Sequence, residues 1–290
     1  MQTDKNGQIQ QRREAKPGEG LARLLEQMQS QMARALPKHV TPDRMARVTL
    51  TALRTTPKLA SVTPQSFLAC VMTLSQLGLE PNTPLGHAYL IPRWSSKARA
   101  DECTVIIGYQ GMIELARRSG QLRSITATAV YQGDLFEIEY GLEPRLRHVP
   151  DWTAPRDPAH LVGAYAVARL KDSDDPVFVF VPRVEIESAR KRGASGRTAK
   201  DGRPISTPWD TDYEAMSLKT AVRRLFRWLP KSIEMATALA ADEQPTPIAT
   251  PEIASALADA GLPALPEESS VEEIDATLAE ERTEETVPAS

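Results

Sequence analysis

The feature that most constrains the fold is a change of hydrophobic period at Gly78. Before it, Leu21, Leu24, Leu25, Met28, Met32 and Leu36 recur at steps of three and four up to Pro37, the spacing of one helix face. Thr41-Pro42 and Thr63-Pro64 each place a hydroxyl ahead of a proline. Such a hydroxyl accepts an orphan N–H of the first turn, and proline has no N–H to leave unpaired. The helix PQSFLACVMTLSQ ends near Gly78, because the left-handed terminal conformation costs glycine least. Residues 18–77 are predicted to be all helical.

After the turn GLEPNTPLG the pattern becomes strand-like. HAYLIPR and CTVIIGY read as a hairpin around the cationic loop WSSKARADE, and MIELARRSG as a short helix stopped by Gly120. Strands at 122–131 and 135–141 are predicted as a second pair, and HLVGAYAVARLK with PVFVFV as a third. Pro182 opens the helix VEIESARKR, and GASGRTAKDGRPISTP is a loop. A helix through EAMSLKTAVRRLFRWLPKS then begins with capping-box spacing, Thr211 to Glu214, and a last helical stretch fades near Ala241. Helices, then antiparallel strands interrupted by one helix, then helices again make an α+β chain, since parallel units alternate regularly.

The expected organisation is a flexible start (1–17), a domain over 18–241 with a helical part (18–77) and an α+β core (78–241), and a flexible acidic, partly helical tail (242–290). Within that tail EIASALADAG and SSVEEIDATLAEE have helix starts but few apolar positions. They are expected to form a small bundle or to fold onto a partner.

Charge divides the chain the same way. The formal net charge is -3, yet residues 241–290 hold thirteen acids against one base, Arg282. Residues 1–240 therefore carry 34 bases and 25 acids, a net of +9. A basic body with an acidic tail points to a polyanionic partner. The cations concentrate in two places. Lys219, Arg223 and Arg227 stand four apart on the last long helix, spaced by roughly 6 Å. Arg224 widens this C-terminal cationic row, Lys231 extends it, and Leu218, Val222, Leu225 and Leu229 form the inward face. Most charge runs are solvated faces, but those mix signs, and no acid lies between Glu214 and Glu234. Such a row is expected to be uncompensated until phosphates meet it. The second place holds Arg93, Lys97, Arg99, Arg117, Arg118 and Arg123, with Trp94 and Tyr109 interleaved, the composition of a groove for single-stranded nucleic acid. Gly108 and Gly111 beside Tyr109 are expected to permit close backbone approach.

Other chemistries find no support. G-x-x-x-x-G-K-[ST] does not occur, so no nucleotide-phosphate loop is present. The acids of residues 80–180 are scattered, and His39, His87, His148 and His160 form no ligand spacing. His148 is expected in an exposed loop. Cys70 and Cys103 stand in apolar runs, as small core residues do. No cofactor, metal or catalytic group is expected. The opening residues lack the apolar stretch of a secretory signal, and no run is long enough for a membrane span, so a cytoplasmic protein without membrane contact is expected.

LGLEPNTPLGHAYLIP, IIGYQGMIELARRSGQL, AYAVARLKD and PWDTDYEAMSLKTAVRRLFRWLP resemble, in order and spacing, the RecT family of phage recombinases over about residues 20–240. The resemblance implies an ATP-independent single-strand annealing protein with a small antiparallel sheet and a helix similar to the Redβ proteins. It implies binding of single-stranded DNA and the annealed duplex, and a homo-oligomer built as a ring or helical filament. A 5′→3′ exonuclease is the implied partner, and single-strand-binding protein is a candidate for the tail. Two positions depart from the family pattern. Gln110 stands where a cation is frequent, and Leu218-Lys219 replaces paired lysines; each removes one charge from the interface. A metal-dependent nuclease and a basic adaptor for an acidic protein are the alternative readings.

Overall fold

The computed structural model describes residues 18–95, 98–194, 207–230, 232–243 and 250–265. Four helices come first: α1 (Glu19–Gln27), α2 (Gln29–Ala35), α3 (Pro42–Thr55) and α4 (Pro64–Leu77). The single helix expected over 21–36 is divided at Met28, although Met28 N–H still donates to Leu24 O at 3.0 Å across the break. Both Thr-Pro starts hold, with different chemistry. Thr41 Oγ1 accepts Arg44 N–H, as a cap should. The Thr63 hydroxyl bonds Ser66 Oγ instead, and that oxygen accepts Cys103 N–H at 2.8 Å, tying α4 to the strands. Gly78 ends α4 at φ 61, and a Cβ there would lie 2.4 Å from Pro37, so glycine is required twice over.

Helix α4 is buried along most of its length and forms the axis of the helical part. Strands β1 (Ala88–Ser95) and β2 (Ala100–Ile107) form the expected antiparallel hairpin, with Ala88 opposite Ile107 and Ser95 opposite Ala100. Helix α5 (Tyr109–Arg118) follows directly.

HLVGAYAVARLK and PVFVFV pair as expected, whereas the strands at 122–131 and 135–141 do not pair with each other. β3 (Leu122–Tyr131) pairs with β6 (Leu161–Leu170), which pairs with β7 (Pro176–Pro182), while β4 (Leu135–Glu139) pairs with β5 (Arg145–Val149). The described strands therefore make a three-stranded antiparallel sheet, β3-β6-β7, and two separate two-stranded ones. The β3–β4 connection turns away through Gly133 at φ 94, and the buried Asp134 carboxylate bonds back to Tyr131 N–H.

Helix α6 spans Arg183–Ala194, and residues 195–206 of the expected loop lie outside the described residues. The expected Thr211–Glu214 capping box is not made. Asp210 accepts the N–H (2.9 Å) and hydroxyl (2.8 Å) of Thr207, starting the one-turn α7 (Pro208–Thr211) instead. Helix α8 (Tyr213–Leu225) follows and packs against β6, β3, β7 and α5, with Val222, Leu225 and the succeeding Phe226 fully buried. α9 (Ile233–Glu243) packs on β2, α4 and α5. α10 (Pro251–Asp259) packs on α4 and buries Ile253, Ala256 and Leu257. The first tail segment thus completes the chain's own core; the second, along with residues 1–17, lies outside the described residues. Cys70 and Cys103 are free and buried. No helix among the described residues is long and apolar enough to cross a membrane.

Candidate nucleic-acid interface

The amphipathic spacing of α8 turns Leu218, Val222 and Leu225 into the core, and geometry then decides what becomes of the cations. Lys219 is 8% exposed and donates to Asp242 Oδ1 at 2.6 Å. Burial lowers the pKa of its ammonium, against the opposing pull of the carboxylate. Arg223 reaches Asp242 Oδ2 at 3.3 Å, and Arg224 pairs with Glu185 of α6. The expectation of an uncompensated row is corrected here: acids remote in sequence, on α6 and α9, neutralise its first members. Asp242 also accepts Ile107 N–H at 3.0 Å, so one carboxylate joins α8, α9 and the end of β2.

Arg227 lies just past the end of α8, exposed and without an ion pair among the described residues. Lys231 and Lys97 lie outside the described residues. The hairpin presents Arg93 and Arg99 to solvent, Arg99 with φ 51 in the turn. On α5, Gln110 and Arg117 are exposed, whereas Arg118 donates to Leu77 O at 2.9 Å and Gly78 O at 3.2 Å. Arg118 therefore supplies the C-terminal cation that the last carbonyls of α4 need. Tyr109 is half-buried against the core. Its flanking glycines admit the protein's own backbone, which corrects the expectation that they serve a ligand. A Cβ on Gly108 would lie 2.0 Å from Gly86 O, and one on Gly111 2.1 Å from His87 O.

A second polar centre was not foreseen. Asp134 accepts Tyr131 N–H (2.8 Å), Asp151 N–H (2.9 Å), Arg156 Nη1 (2.9 Å) and His148 Nε2 (3.0 Å). Although burial opposes ionisation, these donors together hold the carboxyl well below its ordinary pKa. His148 lies on β5 and is bonded at Nδ1 to the Tyr165 hydroxyl at 3.2 Å, which corrects its expected place in an exposed loop. Arg156 is stacked between the rings of Tyr131 (4.4 Å) and Trp152 (4.9 Å), and Tyr131 Oη donates to Glu214 of α8 at 2.6 Å. Among the described residues no three His, Cys, Asp or Glu side chains form a metal-holding group.

Sequence reasoning overlooked the outward rings Trp152 and Trp228 and the role of Asp242. Trp228 was not readable from spacing, since three residues after Leu225 a continuing helix would set it near the inward face; it points outward because α8 ends at Leu225. Nothing local to Asp242 marks it as the partner of Lys219.

The model of the RecT family matches residues 43–255. The chain is 42% identical over 219 residues to Protein RecT of Escherichia coli (strain K12), covering 75% of this chain and 77% of that protein. It is 25% identical over 182 residues to the uncharacterized protein YqaK of Bacillus subtilis (strain 168), covering 62% and 57% of the two chains. Neither the nuclease nor the adaptor reading gains support from these relatives. By the extent of the family match and the identity to one of its members, the chain belongs to the RecT family.

Proposed function

We propose that this RecT-family chain, a single-strand annealing recombination protein, holds DNA on the outward cations of the β1–β2 hairpin, α5 and the turn after α8. The observation that carries this placement is that Arg93, Arg99, Arg117 and Arg227 are all exposed and lack a carboxylate partner among the described residues. Charges left unpaired by the fold are available to phosphates. Lys97 and Lys231, neighbours of these residues in the sequence, are part of the proposal as further cations. Lys219, Arg223, Arg224 and Arg118 support the surface from behind through the bonds described above, and Tyr109 and Gln110 border it.

Annealing in this scheme needs no nucleotide hydrolysis and no catalytic residue. Pairing releases about 1.4 kcal/mol per stacked step, so tens of steps outweigh the phosphate contacts given up. The protein's task is to screen repulsion between two strands and keep their bases apart from self-structure. Subunits assembled side by side, as a ring or helical filament, hold the register that one subunit is too small to hold. The elements from α1 to α10 serve as the annealing domain, with a Redβ-like core at the sheet and α8. The acidic residues after α10 recruit a 5′→3′ exonuclease or single-strand-binding protein, and the setting is the cytoplasm.

The test is annealing of two complementary labelled oligonucleotides without nucleoside triphosphate. Accelerated pairing is expected, and a rate equal to that of the oligonucleotides alone would rule the reading out.

A further inference from the structure

Trp94, Trp152 and Trp228 all reach solvent, and they differ in what already covers them. Trp94 is less exposed and has a partner within the protein. Trp152 is 79% exposed, but one face lies on Arg156, whose charge Asp134 takes up, and Asp151 and Asp157 stand nearby in the chain. A phosphate backbone is poorly received there. Trp228 is 71% exposed and makes no ring or cation contact among the described residues.

The setting of Trp228 is fixed. Phe226 and Leu229 on either side are buried at 0% and 4% exposure, which pins the turn to the core. Arg227 N–H donates to Arg224 O at 3.3 Å and Trp228 N–H to Leu225 O at 2.9 Å, continuing the hydrogen bonding of α8 through the turn. A rigid ring next to an unpaired arginine is thereby held outward, in a stretch with no acid between Glu214 and Glu234. An apolar protein surface would cover the ring but leave the cations without a counter-charge. A nucleic-acid strand satisfies both, with a base for the ring and a phosphate for the guanidinium.

Resting on the annealing reading above, we infer that Trp228 is a base-stacking residue: its ring packs on a nucleobase of the bound single strand while Arg227 meets the adjoining phosphate. Every base has a π face, so the contact tolerates any sequence, as strand annealing demands. A base held by its face keeps its pairing edge free for a second strand.

The experiment uses the full-length chain and two labelled probes, an oligothymidylate and an oligonucleotide of equal length with abasic sites. Binding is measured for wild type, Trp228→Ala, Trp228→Phe and Arg227→Ala over a range of salt. Trp228→Ala is expected to lose about tenfold affinity for the base-bearing probe, with no change of salt slope. Trp228→Phe is expected to keep most of the affinity, and the difference between wild type and Trp228→Ala to vanish on the abasic probe. Arg227→Ala is expected to flatten the slope by about 0.7 on both probes. Undiminished binding by Trp228→Ala, or an equal loss on the abasic probe, overturns the inference; the latter marks Trp228 as a protein contact. If wild type binds neither probe, the annealing reading itself has failed.

Discussion

Asp242 sits where three donors converge, Lys219 Nζ, Arg223 Nη1 and Ile107 N–H, with its own side chain 2% exposed. Removing one member of such a buried pair strands a charge away from water, a loss of roughly 3–5 kcal/mol. Asp242→Asn should therefore lower stability by about that much in urea unfolding, and adding Lys219→Met should recover the part due to the stranded ammonium, since the Asn oxygen can still accept Ile107 N–H. Unfolding of Asp242→Asn at the wild-type midpoint would show that the pair holds nothing together. Asp134 makes a different prediction. Its pKa in the fold lies below the ordinary 3.8, so the stability it contributes is present above that value and is lost as pH falls through the folded value. Wild type should exceed Asp134→Asn in stability at pH 7, and the gap should close as the solution is taken below about pH 4. Equal stabilities at neutral pH would contradict this.

Helix α10 is where the view of the tail changes. Its acids suggested a detachable segment, yet Ile253, Ala256 and Leu257 are buried on α4, Thr250 caps the helix through Ile253 N–H, and Asp259 accepts a bond from Gln31. Leu257→Ala is expected to cost about 3 kcal/mol, seen as a lowered thermal midpoint, whereas ending the chain after Leu265 should leave that midpoint unchanged. A large drop on removing 266–290 would place part of the core beyond α10. Elements bounded by local chemistry were legible in the sequence: the Thr-Pro starts of α3 and α4, the glycine stop at Gly78, and the β1–β2 alternation. Elements set by distant partners were not. β5, RLRHV, reads as a polar loop because three of its residues are Arg or His; it is a strand because Phe136 lies across from His148 and the latter's ring finds Asp134 and Tyr165. Thr211–Glu214 has the spacing of a cap, but Glu214 is engaged by the Tyr131 hydroxyl. Similarly, the inward stripe of α8 was readable from spacing, while the neutralisation of Lys219 depended on a residue 23 positions on.

At the scale of the whole molecule, the basic body of net +9 is only partly available to a ligand. Ion pairs with Asp242, Glu185 and Glu114 absorb much of the charge that the sequence concentrates on α8 and α5. Within the two cationic clusters, the groups left facing solvent without an ion pair among the described residues are Arg93 and Arg99 on the hairpin, Arg117 and Arg227, and those groups set how strongly salt competes with DNA. The most direct measurement is the salt dependence of affinity for a single-stranded oligonucleotide, comparing wild type with the triple variant Arg93→Ala, Arg99→Ala, Arg227→Ala. Each lost phosphate contact reduces the slope of log affinity against log salt by about 0.7, so a reduction of about 2 is expected, with the thermal midpoint retained. An unchanged slope in a folded triple variant would contradict the account and place the strand elsewhere on the protein.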